Sequence, residues 1–364
     1  DFGIPRQQAR RQESAEIESK QAEVKMFVDC DRHVGVGQYS DLFSHMPLAW
    51  QRHFERVEFV SSIDEASNHI RVSERWDHPH VDLEPPGDDG DEYLLVPHQG
   101  LTINGWADRV GAKVFAAAIN SYGLENWASP TRKLALVVSP HDPAWSAAEI
   151  TRLATAGSGV GAVAIPLGDS MLGSFTLNPI YEACLGADVP VMVHFSGVEG
   201  RYLGAPPLSG GVHLSAFSRL SLMPHLAESN ITSLVFEGAF ETFPDLRVIF
   251  AGFGFTWLPS LMWRMDREWR TFRHDLPWVK EPPSTYLPGR LWVTTSPVEE
   301  AAISGEWDRS FSSQQLRSLL AFGSHQPFDG DSAADVTRVL GDAAAAVLTN
   351  GKAAITGSRE SVSP

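Results

Sequence analysis

Short apolar runs alternate with longer stretches of helical periodicity between residues 25 and 324. The runs are KMFVDC (25–30), YLLVP (93–97), VFAAAIN (114–120), LALVVSP (134–140), GAVAIPL (161–167), PVMVHFS (190–196), RVIFAGF (247–253), LWVTTSP (291–297) and LLAFGS (319–324). Helical patterns fill WSAAEITRLATAG (145–157), LNPIYEACLGA (177–187), ITSLVFEGAFETFP (231–244), WLPSLMWRMDREWRTF (257–272) and SSQQLRSLL (312–320). Continuously apolar strands interleaved with helices imply a parallel sheet buried on both faces. Eight or nine such repeats over roughly 300 residues favour a closed (β/α)8 barrel over a doubly wound sheet. No G-x-G-x-x-G follows the first strand, which weakens a dinucleotide-binding reading further.

The pattern sets the expected boundaries. Residues 1–24 form a charged N-terminal arm without the apolar core of a signal peptide. The barrel spans 25–350, and 351–364 read as a flexible tail. Residues 40–92 are a long excursion between strands 1 and 2, and its acidic, turn-rich DLEPPGDDGDE reads as a loop over the barrel mouth. The Trp- and Met-rich WLPSLMWRMDREW reads as a packed helix rather than a ligand cage.

Composition narrows the partners. The 364 residues are 43% hydrophobic, enough for a large core, and carry 45 acidic against 29 basic residues, a net charge of −16. Such a field disfavours nucleic acid and anionic membranes. No stretch approaches the roughly 20 apolar residues that span a bilayer. The two cysteines, Cys30 and Cys184, fit a reduced, cytoplasmic setting rather than a disulfide scaffold.

Active sites of such barrels lie at the C-terminal ends of strands. There the first strand offers Asp29, Asp31 and His33, which alternate and so share a face. Other strand ends bring His98, Asn120, His141, His194 and His325, the last followed by Asp329. RVIFAGFGF ends without any ionisable group. Asp31, His33, His194 and His325 come from the first, a middle and the last strand, which meet around a closed barrel. Three imidazoles and one carboxylate suit a divalent ion, zinc first, with iron and manganese as alternatives. His98, Asn120 and His141 are candidate pocket residues, and Asp29 and Asp329 candidates for orienting the ligands. Taken alone, each of these histidines could equally be a hydrogen-bonded structural group. His78-Pro79-His80 reads as a surface loop, and Glu299 with Glu300 as a solvated loop that could approach the mouth.

With these motifs in place, the chain resembles the amidohydrolase-related family that includes aminocarboxymuconate semialdehyde decarboxylase and resorcylate-type decarboxylases. The resemblance covers about residues 25–345. It rests on MFVDCDRH, PHDPAWSAAEITR, PVMVHFSG, FEGAFETFPDLRVIFAGFGFTWLP with WRMDREW, LWVTTSPVEE and FGSHQPFDG. It implies a distorted TIM barrel and one divalent ion, usually zinc, on an H-x-H of strand 1, a His after strand 5 and an Asp after strand 8. His194 and His33 match that pattern. Asp31 stands where an imidazole is implied and His325 where a carboxylate is, so the ligand inventory is conserved. A further departure is the Ala251-Gly252-Phe253-Gly254 stretch, which lacks the His or Glu of many members.

The resemblance implies a metal-dependent hydrolase or decarboxylase acting on a small carboxylate or amide. A second expectation is a metal-binding partner subunit of a heteromeric non-haem oxygenase of the 2-aminoisobutyrate hydroxylase kind. The substrate would then be amino acid-like, and the chain a homo- or hetero-oligomer with an amidohydrolase-like subunit. A barrel without metal or catalysis is the third.

Overall fold

The computed structural model describes residues 27–56, 83–106, 108–155, 157–167, 170–195, 220–299, 314–328, 331–340 and 343–357. Eight parallel strands follow one another in sequence order: β1 (Val28–Val34), β2 (Glu92–Pro97), β3 (Arg132–Val137), β4 (Val160–Pro166), β5 (Val191–His194), β6 (Val248–Ala251), β7 (Leu291–Thr294) and β8 (Leu320–Ala321). The segment after β8 closes the barrel onto β1. Cys30 N–H donates to Phe322 O at 2.8 Å, His325 N–H to Asp31 O at 2.9 Å and His33 N–H to Gln326 O at 2.8 Å. This is the (β/α)8 barrel that the alternating pattern predicts.

Helices α1 (Leu48–Arg56), α2 (Arg109–Asn126), α3 (Pro143–Leu153), α4 (Asn178–Gly186), α5 (Pro224–Phe236), α6 (Ala239–Thr242), α7 (Leu258–Phe272), α8 (Gln314–Arg317), α9 (Ala333–Leu340) and α10 (Ala344–Thr356) accompany the strands. Strand alternation divides the core in two. Val191, Val193, Val248, Phe250, Leu291 and Val293 pack outward with helix residues such as Ile231 and Leu258. Met192, Ile249, Ala251 and Trp292 belong to the other buried cluster, with residues of β1 to β4. By the same alternation His194 shares the inner face with Met192.

The structure corrects several sequence expectations. Residues 114–120 lie inside α2, not in a strand. The Asp108 side chain accepts hydrogen bonds from Val110 and Gly111 N–H and starts a helix long enough to absorb that apolar run. The helix expected over 231–244 breaks at Gly238, whose φ of +82° separates α5 from α6. Over 312–320 the described helix is only Gln314–Arg317, followed by β8 at Leu320.

The expected flexible tail begins too early. Helix α10 runs to Thr356, Ala354 is fully buried, and the Arg247 guanidinium donates to the Ala354 and Ile355 carbonyls. Leu83 stays at the mouth, its carbonyl accepting Gly35 N–H at 3.0 Å, but the acidic turn that follows sits at the N-terminal ends of the strands. There Tyr93 OH donates to Asp89 (2.6 Å), Phe27 N–H to Asp91 (3.0 Å) and the Arg132 guanidinium to Pro86 O (2.6 Å). Met262 and Met265 of α7 are buried as expected, but Trp263 faces solvent. The arm at 1–24, His78, His80, Glu300 and Asp329 lie outside the described residues. No helix among the described residues is long and apolar enough to cross a membrane.

Candidate metal centre

Asp29, Asp31 and His33 are buried and two residues apart on β1, so they share the inner face. Asp31 and His33 meet His194, the last residue of β5, and His325, beyond β8. One ligand atom from each of the four lies within 4.8 Å of the others. His33 Nε2 is 3.0 Å from His325 Nδ1, and that nitrogen is 3.3 Å from Asp31 Oδ2. Asp31 Oδ1 is 3.4 Å from Nε2 of both His33 and His194. Donors held about 2.1 Å from one ion at tetrahedral angles stand about 3.4 Å apart. The spacings on the page therefore fit a small divalent ion, as does the donor chemistry of three imidazoles and a carboxylate. Asp31 Oδ1 and His33 Nδ1 are buried without a hydrogen-bond partner among the described residues. For Asp31 Oδ1, a bound cation would supply the missing partner.

Electrostatics point the same way. Burial opposes ionisation of Asp31, but the neighbouring imidazoles, His194 first and then His325 and His33, prevail and hold the carboxyl well below its usual range. Burial, then the neighbouring His325, keeps His33 well below the usual imidazole value. The site thus stores a carboxylate, Asp31, beside a neutral imidazole, His33, the protonation states that metal ligation needs of these two.

The surrounding shell fixes these groups. His194 Nδ1–H donates to the Phe195 carbonyl at 2.5 Å, which turns the Nε2 lone pair toward the cluster. Among the described residues Asp29 hydrogen-bonds to no imidazole. Its Oδ1 accepts the backbone N–H groups of Asp31 (3.0 Å) and Ser324 (2.9 Å), tying the two ligand-bearing segments together. Burial raises its pKa.

His98 lies beside the cluster. Its ring stands edge-on to His33 at 5.3 Å and tilted against Phe328 at 4.5 Å. Burial, then the His325 and His194 charges, lowers its pKa to about 3, so it is a neutral imidazole. Asn120 does something else: on α2 it clamps β3, donating to Val137 O at 2.9 Å and accepting from Val137 N–H at 2.8 Å. His141 is half-buried after β3, next to the Asp142 cap of α3.

The loop after β6 explains the missing base. Gly252 has φ +85°, and a Cβ there would lie 2.6 Å from the Phe195 ring and 3.2 Å from His194 Nε2. No side chain fits. Glu299 is half-exposed, and its carboxylate accepts the N–H groups of Phe255 (3.0 Å) and Thr256 (2.8 Å) rather than joining the ligands.

Sequence reasoning did not anticipate three neighbours. Phe195 and Phe328 flank the imidazoles, with centroids 4.7 Å from His194 and 5.2 Å from His33 respectively. Thr294 Oγ1 accepts Gly252 N–H at 3.1 Å. The FSG and QPFDG strings beside the ligand histidines were the available signal for the two phenylalanines.

A closed parallel barrel with a carboxylate–imidazole cluster at its C-terminal strand ends defines the class of metal-dependent barrel proteins. Within that class the chain belongs to the amidohydrolase family, whose model matches residues 28–323. No curated protein sequence matches it significantly. Among solved structures it is similar to the 5-carboxyvanillate decarboxylase LigW from Sphingomonas paucimobilis, with 18% identity, TM-score 0.65, and 92% of this chain and 99% of that one covered. The amidohydrolase map2389c from Mycobacterium avium subsp. paratuberculosis K-10 gives 16%, 0.62, 92% and 98%. A dihydroxybenzoic acid decarboxylase from Polaromonas sp. JS666, with bound manganese and the inhibitor 2-nitroresorcinol, gives 16%, 0.57, 91% and 96%. At these identities the likeness is one of fold.

Proposed function

We propose that the protein is a metal-dependent decarboxylase, or failing that a hydrolase, of a small carboxylate substrate. Asp31, His33, His194 and His325 would hold one divalent ion. The carrying observation is the convergence of these four donors at ion-sized spacings. Three imidazoles favour zinc or iron, while the Polaromonas decarboxylase of the same fold has manganese bound; we take zinc first. When bound, the ion supplies positive charge that polarises a carboxylate or carbonyl oxygen.

The chain's own residues favour loss of carbon dioxide over hydrolysis. Hydrolysis asks for a base to take the proton of an attacking water. The stretch after strand 6, Ala251-Gly252-Phe253-Gly254, carries no such group, and Gly252 has no room for a side chain. His98, beside His33, is a neutral imidazole whose pKa is lowered to about 3, which makes it a weak base for an attacking water. Phe195 and Phe328 keep the ligands away from water and give a flat apolar substrate a wall.

The partner-subunit reading is less favoured because all four donors come from one chain. The two buried thiols fit a cytoplasmic protein. The test is to load the purified protein with zinc or manganese and assay hydroxybenzoates for carbon dioxide release beside a panel of small amides for hydrolysis. Carbon dioxide release that His194→Ala abolishes supports the proposal. Amide cleavage without carbon dioxide release would favour the hydrolase form of the proposal, and no turnover until a second subunit is added would contradict both.

A further inference from the structure

The four donors are not equally reachable. The side chains of Asp31 and His33 are 0% exposed and that of His194 2%, whereas His325 is 18% exposed. The way to the cluster therefore runs past His325. This imidazole meets the cluster through Nδ1. A neutral imidazole that offers the Nδ1 lone pair carries its proton on Nε2. Among the described residues nothing hydrogen-bonds to that Nε2.

The ring is held in place. His194 stacks on it at 5.4 Å and 8°, Phe195 lies at 5.7 Å and Phe328 at 5.6 Å. The His325 backbone takes φ +53°, the left-handed region that residues with a side chain adopt uncommonly. Its N–H is bound to Asp31 O, and Gln326 N–H to Ser324 Oγ at 3.1 Å.

We infer that His325 is a substrate-binding residue as well as a ligand: its Nε2–H donates a hydrogen bond to the carboxylate of the incoming substrate. The inference rests on the metal-dependent reading above. It gives the departure at this position a function. An ionised Asp there would accept hydrogen bonds only and would repel an anion; the imidazole ligates on one edge and donates on the other.

The experiment uses the full chain loaded with zinc. Two probes are titrated calorimetrically: salicylate, and phenol, the same ring without the carboxylate. His325 is replaced by its Nε2-methylated analogue, which keeps Nδ1 and removes the donor. Metal content is measured alongside. The expected result is one retained ion, salicylate bound about tenfold more weakly, and phenol affinity unchanged within about twofold. His325→Asp, which keeps a ligand oxygen without a donor, should separate the two probes in the same direction. Unchanged salicylate affinity, or an equal loss for both probes, overturns the inference. Wild-type protein that takes up no ion would overturn the metal reading, and this inference with it.

Discussion

Asp29 shows how a residue can matter to the centre without touching it. Its carboxylate gathers Asp31 and Ser324 N–H, so it sets the distance between the β1 ligands and the segment carrying His325. Asp29→Ala leaves two buried donors unmatched, a loss of about 2–4 kcal/mol in urea unfolding. Asp29→Asn keeps an acceptor oxygen and should cost about 1 kcal/mol or less; equal losses for the two variants would show that the acceptor is not what matters. At this scale the ligands were legible in the sequence, because alternation on one strand and placement at strand ends are local properties. Asn120 was not. An amide at the end of an apolar run reads the same whether the run is strand or helix, and only packing against Val137 tells them apart.

Among elements, the turn after β6 constrains the site most tightly. Gly252 leaves the strand at φ +85°, with Phe195 and His194 crowding the place a Cβ would take. Gly252→Ala adds left-handed strain and a methyl group that must displace the Phe195 ring. A loss of about 1–3 kcal/mol is expected, together with weaker ion binding as His194 is pushed. Thermal melts and ion titration read the two effects separately. Unchanged values in both would mean that the turn has slack it does not show. The strands were largely legible because each is an apolar run between helical stretches. The α2 error arose because Val-Phe-Ala-Ala-Ala-Ile satisfies both periods, and only the Asp108 cap and the length of the segment settle it. Helix α10 is hard to read because its Ala-rich run carries little apolar contrast, which places the expected tail too early; α9 is amphipathic but only eight residues long.

For the molecule as a whole, closure of the barrel and assembly of the centre are one event. The seam bonds between β1 and the segment after β8 involve Cys30, Asp31, His33 and His325, three of them ligand residues. A chain that has not closed has no site, and an ion bound to both sides of the seam would stabilise the closed form. Eight strands and their order follow from the sequence pattern. That residues 292 positions apart become 3.0 Å neighbours follows only from closure. The most direct measurement is the metal content and ion-binding isotherm of the full chain and of its His33→Ala and His325→Ala variants. One equivalent of divalent ion in the wild type, with affinity lowered at least about tenfold to a hundredfold in each variant, is the predicted result. No ion in the wild type, or the same isotherm in all three proteins, would contradict a centre built from Asp31, His33, His194 and His325.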